Sequence, residues 1–333
     1  MNAVATVSPA RSGAGSPVAT FGALLRREFW EHRGGLWSAQ VWTTGILLAL
    51  MVLSLLIGEA FRLKFVGNGD ISGVAVIGLE QLGPAEMAEF RKGLEIGLWG
   101  LGMINQIVLY FVVLFYCIGT LYDERKDRSI LFWKSLPATD TQTVLAKLVT
   151  AALVAPVLAL VAIAALHVGF LLLVGLYAAF HGVNPLPFLW QPGIFTRVWG
   201  QMLATVPVHA LWALPGIAWL LLASSWAKRA PFVWAILLPV LAGVFYTMIE
   251  TALRLRLPGT WFWEHVVARI FSSPGSMVLR PWQWRGDNPF AHAAGQEQLM
   301  TTLTATSTWV GVGVGVVLLG AAIWLRKKFE RRW

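Results

Sequence analysis

Six stretches without a single Asp, Glu, Lys or Arg, at 34–58, 96–122, 148–196, 198–227, 230–249 and 298–325, decide what this chain can fold into. A helix needs about 20 mainly apolar residues to cross a bilayer, and every stretch reaches that length. The ten Leu, Ile and Val residues between Val41 and Ile57 alone favour insertion by about 3–6 kcal/mol. The third stretch is too long for one span. Its tail, His181-Gly-Val-Asn-Pro-Leu-Pro187, is rich in turn residues, so a helix is expected over 148–180. The expected fold is all-α and polytopic, with six transmembrane helices at about 38–58, 96–121, 148–180, 198–226, 231–250 and 303–325. A water-soluble globule is excluded, because 57% of residues are apolar and 13% charged, against about 25% charged in soluble domains.

The net charge of +9 would suggest nucleic acid on a soluble protein; here it sets orientation. Six spans put both termini on one side. Sixteen of the 26 Lys and Arg then share that side with seven of the 17 acids, and the other face nets zero. By the positive-inside rule the termini are cytoplasmic and no nucleic-acid partner is implied. Trp37, Trp99, Trp199, Trp226, Trp309 and Trp324 fall at expected span ends, where an amphipathic ring favours the headgroup layer.

Residues 1–16 read as a disordered tail rich in Ser, Ala, Gly and Pro, with no cleaved signal. Ser16-Pro17 then offers a cap and a first-turn proline. Over 17–35, Phe21, Leu24, Leu25 and Phe29 share a helical face opposed by Arg26, Arg27, Trp30 and Arg33, the pattern of an interfacial helix interacting with membrane lipids. Glu28 and His32 interrupt its apolar face, and Gly34-Gly35 is the expected turn into the six-span domain, 36–333.

The loop at 123–147 is the most informative connection. Six charged residues, Asp123 to Arg128, precede Ser129 and the apolar run Ile130-Leu131-Phe132-Trp133, which is too short to span. Pro137 ends any preceding helix, and Thr139 with Gln142 has capping-box spacing. A short cytoplasmic helix is expected, packed on headgroups, on the protein itself or in a groove on a partner. The order of elements, with the segment Leu121-Tyr-Asp-Glu-Arg-Lys-Asp-Arg-Ser-Ile-Leu-Phe-Trp-Lys-Ser-Leu-Pro137 after the second span, resembles the ABC-2 type permease subunits of ATP-binding cassette exporters over roughly residues 20–330. The resemblance implies that this loop is a coupling helix docking on a separate ATPase subunit. Glu124, Arg125, Asp127, Arg128, Phe132 and Trp133 are then its contact candidates, and the N-terminal helix, through Phe21, Leu25, Arg26, Arg27 and Phe29, contributes to the same interface. It further implies an inner-membrane location and pairing with a second copy or a paralogous permease. ATP and Mg²⁺ would reside on the partner; none of the eight lysines follows a glycine, so no P-loop is present here.

Polar side chains at membrane depth are costly and so informative. Asn105, Gln106, His167 and His209, with Gln201 beside them, are candidates for a substrate path or for hydrogen bonds between helices. Prolines 156, 207, 215 and 239 are candidate kinks, and Gly311 with Gly315 makes a close-approach face for internal packing or a dimer. No metal site is expected, because no His pair has helical ligand spacing and there is one cysteine, Cys117. Outer loops are expected at 59–95, 181–197 and 251–302, the last aromatic and lying in or dipping into the outer headgroup layer. The alternatives are an ion-coupled secondary transporter using His167 or His209, and an intramembrane hydrolase or transferase, for which no motif is present.

Overall fold

A computed structural model describes residues 16–65, 83–128, 138–189, 192–253, 261–272, 274 and 296–330. The tail 1–15, the run Ser129–Pro137 with Phe132 and Trp133, and Trp282 and Trp284 lie outside the described residues.

Helix α1 spans Pro17–Glu31, with Pro17 in its first turn and the Ser16 hydroxyl accepting from the Ala19 amide at 3.2 Å, as its sequence suggests. It breaks at His32. The next turn, Gly34–Ser38, is a π-helical segment running directly into α2, Ala39–Phe65. The glycine pair therefore lies inside the helical entry, and the bend precedes it.

Helix α3 runs unbroken from Pro84 to Lys126. An outer loop through residue 95 followed by a 96–121 span was expected. One 43-residue helix takes their place, about 65 Å long at 1.5 Å per residue. Nothing between Pro84 and Leu121 stops it: the glycines carry intact α backbone, and the Gly83 amide donates to the Glu86 carboxylate at 2.9 Å. Helix α4, Asp140–Val149, starts where its Thr139/Gln142 capping box predicts, with reciprocal bonds of 3.0 and 3.2 Å. A π-helical turn, Thr150–Val154, joins it to α5, Ala155–Phe180. That turn absorbs Pro156, whose missing N–H would interrupt an α ladder.

Helix α6, Pro192–Trp226, keeps Pro207 and Pro215 inside it, and α7, Pro231–Leu253, keeps Pro239. Residues 261–270 form a short helical segment against the bundle. The chain closes with α8, Gln296–Thr304, and α9, Thr306–Glu330. Six of these helical units are long and apolar enough to cross a membrane.

The core forms where α3 and α6 meet, around Leu114, Cys117, Ile118, Ala218 and Leu221, and α9 lies along α6. Gly315 permits that packing, because a Cβ there would approach Leu214 Cγ to 2.8 Å. Large apolar side chains also cover much of the described outer surface. Trp42, Ile46, Leu50, Leu53 and Ile57 form one exposed stripe on α2, and a soluble fold could not leave such a patch in water. Trp37, Trp226, Trp309 and Trp324 are exposed near helix ends, as an interfacial ring should be. Trp99 differs: it is buried against Ile163 and Met202, and Trp199 is half-buried beside it. Both were expected at an interface. The outward continuation of α3 and α6 past these positions encloses them.

Candidate functional site

Four elements that are remote in sequence meet at one end of the bundle: the inward face of α1, the last turns of α3, the body of α4 and the last turns of α9. Each brings charge to the junction. Lys147 on α4 is 1% exposed, and its ammonium lies 2.8 Å from Glu28 Oε1, 2.9 Å from Glu124 Oε1 and 2.7 Å from Thr120 Oγ1. Arg326 on α9 reaches Glu124 Oε2 through Nη1 and Asp140 Oδ1 through Nε, both at 2.7 Å. Arg27 adds a bond to Glu124 Oε1 at 3.3 Å, and the Tyr116 hydroxyl donates to Glu28 Oε2 at 2.8 Å. Three carboxylates thus face three cations, so the cluster is near neutral overall. A buried charge is tolerated only when paired and hydrogen-bonded, and Glu124 meets this condition on both oxygens.

Beside the cluster, Arg125 ties α3 to the end of α6. Its Nη2 donates to the carbonyls of Ser224 at 2.7 Å and Ala227 at 2.8 Å. Helix α3 then stops. Arg128 takes φ 56°, the left-handed conformation that costs a non-glycine residue about 1–2 kcal/mol, and turns the chain into 129–137.

The six proposed coupling residues therefore divide. Glu124 is buried, Arg125 is half-buried, Asp127 and Arg128 are exposed at the helix end, and Phe132 and Trp133 lie outside the described residues. On α1, Phe21, Leu25, Arg27 and Phe29 are half-buried and Arg26 is exposed. The inward face is carried by Leu24 and Glu28, which are buried.

Comparison with protein-family models, with curated proteins and with solved structures gives no match. What the fold establishes is a class. The chain is an all-α, multi-pass membrane protein.

Its intramembrane polar residues act as joints between helices. Asn105 Nδ2 donates to Thr44 Oγ1 at 3.0 Å, and Thr44 donates to the Ala162 carbonyl at 3.3 Å, linking α3, α2 and α5. His167 Nε2 lies 2.8 Å from the Leu98 carbonyl, while its Nδ1 accepts from Trp199 Nε1 at 3.1 Å, linking α5, α3 and α6. Gln106 is buried nearby. His209 stands apart. Its Nε2 is 3.2 Å from Ser272 Oγ, and Ser272 donates onward to the Arg269 carbonyl. These groups line a cavity of about 20 Å³, room for a water molecule. Asn105, His167 and His209 thus sit at three separate joints.

Sequence reasoning did not anticipate Lys147, Asp140 and Arg326 as site residues. It noted Glu28 as an interruption in an apolar face, and that interruption was the available signal: an acid on the buried side of a helix requires a cation opposite.

Proposed function

We propose that this chain is the permease subunit of an ATP-driven exporter of the ATP-binding cassette type. It would act in the inner membrane with cytoplasmic termini, paired with a second copy or a related permease and driven by a separate ATPase that holds ATP and Mg²⁺. The reading rests on the resemblance carried by residues 121–137. One structural observation supports it most: the ion cluster of Glu28, Glu124, Asp140, Lys147 and Arg326 clamps α1, α3, α4 and α9 together where the 127–139 connection leaves and re-enters the bundle. A push delivered to that connection is thereby passed to α3, α4, α1 and α9 as a unit, which is what rigid-body alternation between two states requires. Asp127 and Arg128 are exposed at the end of α3, where the connection begins.

The test is the double variant Phe132→Ala/Trp133→Ala. It is expected to insert into the membrane and lose copurification with an ATPase; unchanged copurification together with unchanged ATP turnover refutes the reading. An ion-coupled transporter is the second reading, favoured by one observation: His209 Nδ1 is buried without a hydrogen-bond partner beside a water-sized cavity. Transport that follows a proton gradient and ignores ATP would select it.

A further inference from the structure

Between α6, α7, α9 and the 261–270 segment lies a cavity of about 500 Å³, within the range of about 300–1,000 Å³ typical of ligand sites. Helices α7 and α9 both pack on α6 but scarcely touch each other, so the space between them is a slot with α6 as its floor. Pro215 and Trp219 of α6 line that floor, and both are half-buried. Leu238, Val310 and Val314 stand at the rim, 39%, 61% and 49% exposed. These positions belong to helices long and apolar enough to cross a membrane. The rim is continuous with their exposed apolar faces, so the slot opens onto acyl chains.

The polar groups of the wall are engaged within the protein. Pro239 lacks an N–H, so the Ala235 carbonyl four residues before it has no helical partner. The Trp219 indole takes it instead, donating through Nε1 at 2.9 Å. That bond fixes the ring across the floor and leaves its apolar face to the slot. Trp261 stacks on His265 with centroids 5.3 Å apart, and His265 Nδ1 donates to the Trp261 carbonyl at 3.0 Å. Arg269 also belongs to the wall. It is 4% exposed, and its guanidinium donates to the Ser307 carbonyl at 2.7 Å and lies 5.5 Å over the Trp212 ring. No Asp or Glu stands among the described lining residues. The slot therefore recognises apolar volume and not charge.

Depth narrows the class of ligand. On α9 the lining residues Thr306, Val310, Val314 and Leu318 recur every fourth position and form one ridge. The ridge rises about 18 Å, slightly more than one leaflet of a hydrocarbon core about 30 Å thick. Arg326, in the ion cluster, lies about 30 Å from Thr306 along the same helix, so the slot occupies the leaflet remote from the cluster. A slot one leaflet deep, open sideways to lipid and walled by hydrocarbon, fits an extended acyl chain whose headgroup stays in the headgroup layer.

We infer that this slot holds one acyl chain of a bilayer phospholipid, taken in sideways between α7 and α9 from the leaflet opposite the ion cluster, with the headgroup outside and unselected. Binding requires no ATPase, so the site stands or falls separately from the coupling proposed above. The test places the full chain in phosphatidylcholine nanodiscs containing a phosphatidylcholine with a diazirine near the end of one acyl chain. Adducts formed on irradiation are mapped by mass spectrometry. They are expected on Trp219 and Leu318, which are half-buried behind the rim, and on the exposed stripe of α2, which any surrounding lipid reaches. Val314→Trp narrows the mouth of the slot. It is expected to lower the Trp219 and Leu318 adducts by about tenfold, the loss of burial for about two methylenes, and to leave the α2 adducts unchanged. Val310→Trp, one turn away, is expected to do the same and decides if the first variant does not fold. A phosphatidylglycerol probe with the same chain is expected to label Trp219 and Leu318 equally. Absence of these adducts in wild type, adducts undiminished in the variants, or a tenfold preference for either headgroup would each overturn the assignment. So would disulfide-linked dimers through Val314→Cys in a Cys117→Ser background, which would place a second copy in the slot.

Discussion

At the scale of residues, the ion cluster separates two acids that lie three positions apart. Glu124 is enclosed by Arg27, Lys147 and Arg326, whereas Asp127 is exposed at the helix end. Removing one member of a buried pair costs about 3–5 kcal/mol, because the cations left behind have been desolvated. Glu124→Gln should therefore lower the thermal unfolding midpoint in detergent sharply, and Asp127→Asn should stay within about 0.5 kcal/mol of wild type. Equal effects would show that the cluster is not buried in the membrane-embedded protein. The last helix offers a parallel contrast between glycines. Gly311→Ala drives a methyl into the Arg269 guanidinium, and overpacking of this kind costs about 1–3 kcal/mol. Gly313→Ala meets nothing within 4 Å and should be tolerated or mildly stabilising. The same thermal measurement distinguishes them.

At the scale of elements, the signals that read correctly were local. Apolar runs located the spans, and Ser16-Pro17 and the Thr139/Gln142 box located two helix starts within a residue. Thr139→Ala should destabilise by about 1 kcal/mol through loss of the cap on α4, checked by urea or thermal unfolding. What was not legible depended on contacts across the chain. Lys147 and Glu28 are 119 positions apart, and Arg326 and Glu124 are 202; no periodicity within a helix encodes such a pairing. Helix lengths were underestimated for a related reason. Charge marks where hydrocarbon ends, but α3 is helical through Glu95, Lys92 and Glu86 as well, because nothing in its backbone stops it. Trp99, read as an interfacial ring, is enclosed by that extension. Gly311 and Gly315 were legible as close-approach positions, but the sequence could not say that one receives a helix and the other an arginine.

At the scale of the molecule, the basic end of the bundle and the ion cluster coincide, which gives the topology a sharp test. Cys117 is the one cysteine and is buried, so Cys117→Ser provides a clean background. A cysteine at Lys228 should react with an impermeant maleimide only after the cells are opened, and one at Lys92 should react in intact cells. The opposite pattern would invert the membrane orientation and remove the 123–147 loop from any cytoplasmic ATPase. The most direct measurement of the coupling itself places a photo-crosslinking side chain at Arg128, with Lys92 on the opposite face as control. An adduct with an ATP-binding subunit is expected at 128, changed in yield when ATP is added, and none at 92. Absence of any such adduct at 128, in protein that still transports when only a proton gradient is supplied, would contradict it.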